Sequence, residues 1–467
     1  MRQWFRLTII LPYCFFISCY LLIHNPAFST PVIKKYDLTY RFDFSKQKLF
    51  CVAELSLDRV QPGDTLNLLL YRLLKVNSIK DDQDKVITFS QTVTSFTDWE
   101  KLQVNHIAIP VKTTKIIIYY EGYLMGYTET GMLYVKDNIN PNFTILRMDG
   151  YAYPIQGIPT WEKNSAVDLP NFDYTVSVTI PDSLTVVNGG TLSSKDVTNG
   201  QATYIYHNRK PAWRIDIAIS KYATLTDNDL SIYYFPRDSS GAKVVADYCK
   251  KACATFNNWF GTIDFPGYSI IEIPDDWGSQ AEASYILQTA SAFKNETRLY
   301  ELYHEISHIW NVRPNDANPC RLESEGLAVF LQYLLVEKLQ NKTAAVDSAA
   351  EITFQRLKKR VNTDSTVAHT PIIDYGKKQM TGLSYTKGML FYYLLYKTTG
   401  ETAFMNTIKT FYAKYRATGA TTEEFAQFLV STLKNAKVEA LVKDWIKTDQ
   451  SSQQILRSQS VKELVTN

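Results

Sequence analysis

The chain has 467 residues, too many for one hydrophobic core, so two or three domains are expected. Its 45% hydrophobic and 21% charged residues are those of an ordinary soluble globular protein. A formal charge of +3 with no long Lys/Arg run leaves no footprint for nucleic acid, and none is expected as a partner.

At the N-terminus, Arg2 and Arg6 precede an apolar stretch from Leu7 to about Ile23, and Ala27-Phe28-Ser29 puts small residues at the cleavage positions. Residues 1–29 are therefore expected to be an export signal, with the mature protein periplasmic, envelope-bound or extracellular. Two alternatives stay open. One is a retained anchor, which Pro12 weakens. The other is lipid attachment at Cys19 in Phe16-Ile17-Ser18-Cys19. Any contact with a membrane would run through this segment, since no later stretch could span a bilayer. Cys14 and Cys19 fall within it, leaving Cys51, Cys249, Cys253 and Cys320. No C-x-x-C occurs, so cysteine zinc chemistry is not expected, and no disulfide is assigned.

Residues 30–226 read as strands. Tyr36, Leu38, Tyr40, Phe42 and Phe44 alternate with polar residues, Ser45-Lys46-Gln47-Lys48 makes a turn, and Leu49, Cys51, Ala53, Leu55 and Leu57 alternate again. That is a hairpin with one buried face. Tyr174, Val176, Val178 and Ile180 repeat the pattern. Residues 227–448 read as mainly helical. Leu299, Leu302, Tyr303, Ile306 and Ile309 form one apolar face, a second helix runs from about Glu323 to Leu339, and Met389–Tyr396 is apolar on all sides and hence buried. Thr421 and Glu424 have the form of a capping box. Strands first and helices later imply an α+β fold in two domains. Residues 449–467 are polar and are expected to be a loosely ordered tail.

The chemistry gathers at His304-Glu305-Ile306-Ser307-His308. Histidines four apart on a helix share one face, so both imidazoles reach a single metal ion, with Glu305 beside the first. This is the H-E-x-x-H pattern of zinc peptidases. A catalytic zinc takes three protein ligands and keeps one open position. The third is expected from Leu322-Glu323-Ser324-Glu325-Gly326, where Glu323 and Glu325 compete and point to different faces. Unpartnered in this pattern, His106 and His369 are read as structural. Asp275 and Asp276 are read as turn residues.

His304 to Trp310 followed by Ser324-Glu325-Gly326-Leu327-Ala328 resembles the gluzincin peptidases, in particular the M1 aminopeptidase family. The Glu-Gly pair then implies Glu325 as the third zinc ligand. Ser324 stands where that family has asparagine, and sixteen residues rather than the usual eighteen lie between His308 and Glu325. Tyr385-Thr386-Lys387-Gly388 resembles the family's Tyr-x-Lys-Gly signature, whose tyrosine steadies the oxyanion. Gly278-Ser279-Gln280-Ala281-Glu282-Ala283 is an eroded form of its Gly-Ala-Met-Glu-Asn strand, which implies Glu282 as the anchor of a substrate's free α-amine.

The resemblance implies a saddle-like all-β N-terminal domain, a thermolysin-like catalytic domain with one zinc ion, and a peptide or protein substrate. Glu305 would serve as general base toward a zinc-activated water. The family's later domains have no counterpart here, which implies a more open cleft. Trp310-Asn311-Val312-Arg313-Pro314 also resembles the related M61 glycyl-aminopeptidase-like family, the second choice. Three function classes follow: an aminopeptidase, an open-cleft endopeptidase, and a zinc-binding scaffold with weak or no catalysis. Keeping Glu305 and Tyr385 favours an enzyme, since a scaffold needs neither.

Overall fold

The computed structural model describes residues 31–97, 99–160, 171–263 and 267–466. The targeting segment read at 1–29, with Cys14 and Cys19, lies outside the described residues. Among those described, no helix is long and apolar enough to cross a membrane.

The predicted hairpin forms. Val32–Asp43 and Lys48–Asp58 pair antiparallel with Tyr40 opposite Cys51 and Leu38 opposite Ala53. Alternate residues are buried because successive side chains leave opposite faces of a strand. The hairpin is the middle of a seven-stranded sheet. In order, its strands are Thr191–Thr198, Gln201–His207, Asp173–Pro181, Val32–Asp43, Lys48–Asp58, Lys115–Gly122 and Leu74–Asp81. Only the contact of Val32–Asp43 with Asp173–Pro181 is parallel. A four-stranded sheet (Ser90–Ser95, Gln103–Pro110, Thr65–Tyr71, Ile155–Gln156) shares its core, where Leu38, Tyr40, Leu68 and Ile118 are buried. His106 sits in this layer and bonds Asn67 Oδ1 at 2.9 Å, a structural role.

The second region opens on a mixed five-stranded sheet in the order Ala223–Asp227, Leu230–Tyr234, Tyr268–Ile273, Tyr285–Thr289, Gln280–Glu282. The expected domain boundary at 226/227 cuts its first hairpin, because Ala223–Asp227 pairs with Leu230–Tyr234. That outer strand has no buried residue, so its sequence carries no core signal to mark where it belongs.

Helices cover the sheet: α1 (Ser239–Phe260), α2 (Ser291–Lys294), α3 (Leu299–Ser307), α4 (Leu327–Gln340), α5 (Ala345–Thr363), α6 (Ser365–His369), α7 (Lys387–Thr399), α8 (Glu401–Tyr415), α9 (Thr422–Leu433) and α10 (Ala436–Val442). Helix α9 begins with the predicted capping box, Thr421 accepting from the Glu424 amide and Glu424 reaching back to the Thr421 amide. Strand-rich first and helix-rich later, the fold is α+β.

The expected loose tail is instead ordered as α11 (Gln450–Arg457) and α12 (Val461–Thr466). Ser451, Ser452 and Ile455 are buried, the Val461 amide donates to Glu351, and Gln355 and Lys358 donate to the carbonyls of Gln459 and Ser458. A face made of serines and one isoleucine leaves little hydrophobic period to read. All four cysteines among the described residues are free thiols.

Two buried arginines join the halves. Arg147 pairs with Asp137 and donates to the carbonyls of Trp277 (3.1 Å) and Tyr134 (2.7 Å). Arg214 bonds Asp216, Asp149 and Gln280 Oε1, and Gln280 Nε2 donates to Asp149 at 3.0 Å. Because each charge is matched and hydrogen-bonded, removing one partner would strand the other in the interior. Gly189 closes the same interface. A Cβ there would fall 1.7 Å from the Tyr285 ring, so only glycine admits that approach.

Candidate active site

Helix α3 turns its buried face, Leu299, Leu302, Tyr303 and Ile306, into the core. This leaves His304 on the wall of a cleft of about 520 Å³, whose walls also include Gly278, Ser279, Glu301, Glu305 and Tyr385. After α3 the chain leaves through a 3-10 turn at His308–Trp310 and returns through a wide π turn at Leu322–Gly326, which leads into α4. Helix α4 packs on α3. The return brings Glu325 back beside the histidines.

Three donor atoms converge. His304 Nε2 lies 3.1 Å from Glu325 Oε2, His308 Nε2 lies 3.5 Å from that oxygen, and the two Nε2 atoms are 3.2 Å apart. A tetrahedral zinc with bonds of about 2.0–2.2 Å spaces its ligand atoms by about 3.3–3.6 Å. The side chains are therefore already near the arrangement such an ion requires, and they are the one such group of His, Cys, Asp or Glu among the described residues.

The far nitrogens are held as well. His304 Nδ1 lies 2.9 Å from Gln332 Oε1, a carbonyl oxygen that takes the Nδ1 proton and leaves the Nε2 lone pair for a metal. Asn311 approaches His308 Nδ1 through its side-chain Nδ2, at 2.7 Å; turning that amide by 180° would place Oδ1 there to accept the Nδ1–H in the same way. Neither residue was foreseen. The available signal for Gln332 was its position seven residues, two helical turns, beyond Glu325.

Burial alone would raise the Glu325 carboxyl, but Arg321 and the two imidazoles hold it well below the usual carboxylate range. It is thus an anion ready for a cation. Glu323, the competitor, faces the other way, toward Cys320 and Thr422, and burial pushes it up to about 7. Glu305 lines the cleft, and burial pushes its carboxyl up to about 7. Within the same cleft, the Tyr385 ring lies 6.0 Å from that of His304 and nearly parallel to it. Burial and then Glu325 push its phenol up, so it remains a protonated donor.

Two glycines explain why Glu325 and Tyr385 meet. Gly326 and Gly388 face each other where the turn before α4 meets the start of α7, and a Cβ on Gly388 would lie 2.9 Å from the Gly326 Cα. Each glycine follows a site residue closely in sequence, so their contact brings the Glu325 and Tyr385 side chains together.

Glu282 is placed differently. It ends the edge strand Gln280–Glu282, is buried, and its Oε2 accepts from the Ser284 amide (3.0 Å) and hydroxyl (3.1 Å). Burial raises its carboxyl. It is not among the residues lining the cleft, whereas Gly278 and Ser279 are. Asp275 and Asp276 belong to the turn, as read, and also reach the cleft rim. His369 is remote from these groups and contacts Asp449 at 3.0 Å.

Residues 280–445 match the model of the peptidase family M1 domain. By this match the segment is similar to the M1 peptidase domain. It holds Glu282, the H-E-x-x-H helix, Glu325 and Tyr385 in one matched stretch, and the match falls on the first of the two resemblances, M1, rather than M61. No curated protein matches the chain in sequence. Among solved structures, the M1 zinc metallopeptidase of Deinococcus radiodurans is similar at TM-score 0.63 and 17% identity, covering 89% of this chain and 94% of that chain. A mutant of that enzyme bound to a Tyr-Ser-Ala substrate gives 0.62 and 15%, with the same coverage. Native leukotriene A4 hydrolase from Saccharomyces cerevisiae gives 0.63 and 14%, covering 90% of this chain and 68% of that chain. At these identities the likeness is one of fold, and it extends over the β-rich half as well as the segment matched by the M1 model.

Proposed function

We propose that the protein is a zinc-dependent metallopeptidase that removes N-terminal residues from peptides or protein tails. The observation that carries this is the convergence of His304 Nε2, His308 Nε2 and Glu325 Oε2 on one point beside a cleft lined by His304, Glu305 and Tyr385.

Zinc bound there would polarise the scissile carbonyl and acidify water. The chain's own residues do the rest. Glu305 takes the proton of the attacking water and passes it to the leaving amine. The Tyr385 phenol donates to the carbonyl oxygen as negative charge develops on it, where a preplaced donor lowers the barrier most. Gln332 keeps the His304 imidazole in the metal-binding tautomer, and Asn311 does so for His308 once its amide is turned to present Oδ1.

Glu282 is assigned to the substrate's α-ammonium. Its edge strand adjoins Gly278 and Ser279 on the cleft wall, but its carboxylate is engaged by Ser284, so that assignment requires the bond to be exchanged on binding. The same bond favours a second reading, an endopeptidase with no amine anchor. Aminoacyl-coumarin substrates, each tested free and N-acetylated, separate the two. Cleavage of the free set alone supports the aminopeptidase; equal cleavage of both sets contradicts it.

Export is part of the proposal, supported by Arg2, Arg6, the apolar run from Leu7 and the small residues Ala27 and Ser29. Any membrane association would run through that segment. Mass measurement of the mature N-terminus after secretion from a bacterial host tests it; an intact Met1 on soluble cytoplasmic protein would contradict it.

A further inference from the structure

Arg321 has no place in the H-E-x-x-H, Glu-Gly or Tyr-x-Lys-Gly patterns, yet the turn into α4 is built on it. Its φ is +66°, the left-handed region that a non-glycine residue enters at a conformational cost. From there its carbonyl accepts the amides of Glu325 (3.0 Å) and Gly326 (3.4 Å), closing the wide turn that presents the third ligand. π turns of this kind are rare and gather at functional sites.

Its side chain returns to the same residue. Nη2 donates to Glu325 Oε1, while Oε2 is the oxygen that faces the two histidines. One carboxylate oxygen is thereby tied and the other left directed at the metal point. The guanidinium also lies over the Tyr385 ring, 5.9 Å from its centroid. A single side chain thus touches both a ligand of the proposed zinc and the proposed oxyanion donor. A planar fork can hold two such groups at fixed angles, whereas an ammonium cannot.

We propose that Arg321 is a positioning residue: it makes Glu325 a one-oxygen ligand aimed at the metal and fixes Tyr385 beside it. The proposal rests on the zinc reading above. Partners that orient ligands are worth about 10–100-fold in metal affinity or activity.

The test measures the zinc dissociation constant by competition with a chromophoric chelator, on the full chain, for wild type, Arg321→Ala, Arg321→Gln and Arg321→Lys. Circular dichroism and melting of the metal-free proteins check folding. Arg321→Ala is expected to bind zinc about 10–100-fold more weakly. Arg321→Lys should fall between it and wild type, with melting of the metal-free forms nearly unchanged. At saturating zinc, kcat for Arg321→Ala should stay about tenfold below wild type with KM within a factor of about two, through the loss at Tyr385. If Arg321→Ala does not fold, Arg321→Gln and Arg321→Lys carry the same comparison. Zinc affinity and kcat within twofold of wild type in folded variants would overturn the proposal. A wild type that takes up no zinc would overturn the metallopeptidase reading, and the proposal with it.

Discussion

The two walls of the cleft are organised by different physics. On the metal wall, His304 and His308 meet because residues four apart on a helix share a face, whatever surrounds them. Glu325 joins them through one crossing, and the donor atoms end within 3.5 Å of one another. On the strand side, Glu282 sits behind the wall residues Gly278 and Ser279, on an edge strand whose direction is fixed by tertiary contacts. Its neighbour Gln280 is drawn into the Arg214–Asp149 network, and Glu282 turns to Ser284. A helical motif carries its geometry with it, while a strand motif depends on what the sheet edge leans against.

Removing the metal should break the metal wall completely. Dialysis against a chelator is expected to abolish hydrolysis, and stoichiometric zinc to restore it; full activity in metal-free protein would contradict that wall's role. Tyr385→Phe comes next. Loss of one preorganised donor to a developing oxyanion costs about 10²–10³ in kcat. KM for the same substrates should be nearly unchanged.

The strand wall is sharpened by Glu282→Gln. Losing a charge-assisted contact of about 1.5–3 kcal/mol should raise KM for substrates with a free amine by about 10–100-fold. N-acetylated substrates should not respond. Identical kinetics for both sets in this variant would remove Glu282 from substrate recognition.

The smallest expected effect lies behind the cleft, at Glu272 on the central strand. Burial pushes its carboxyl up to about 8 from an ordinary 4.5, although the Phe235 amide donates to Oε2 at 2.6 Å. The unfolded chain releases this proton near pH 4.5 and the folded chain keeps it until about 8. Folding stability should therefore decline as pH rises through that window and level off above it. Glu272→Gln keeps an acceptor for Phe235 without the charge. It is expected to raise Tm at pH 8, where the wild type has lost that stability, and to leave it nearly unchanged at pH 4.5. An equal Tm shift at both pH values would contradict the assignment.

Much of this was legible in the sequence, for local reasons. The hairpin from Val32 to Asp58 followed from alternation, α3 and α7 from their apolar faces, and the α9 cap from Thr421 and Glu424. The Glu-Gly and Lys-Gly pairs were visible as motifs, but their physical meaning, Gly326 packed on Gly388, needed the crossing of two elements 62 residues apart. Gln332, Asn311 and Arg321 were not read because each acts through a neighbour. Gln332 requires knowing that α4 lies against α3, and Arg321 depends on a backbone dihedral that no residue pattern announces. The C-terminal helices were read as a tail because their buried face holds serines where an apolar stripe would have signalled packing.

The central claim is a zinc held by His304, His308 and Glu325 with Glu305 as the base, and one paired measurement tests it most directly. Metal content and hydrolysis are determined on the same samples of wild type and Glu305→Gln. The account predicts about one zinc per chain in both proteins and a loss of about 10²–10⁴ in kcat for Glu305→Gln, the size of a general-base contribution. Wild-type hydrolysis by zinc-loaded Glu305→Gln, or hydrolysis by wild-type protein free of metal, would contradict it.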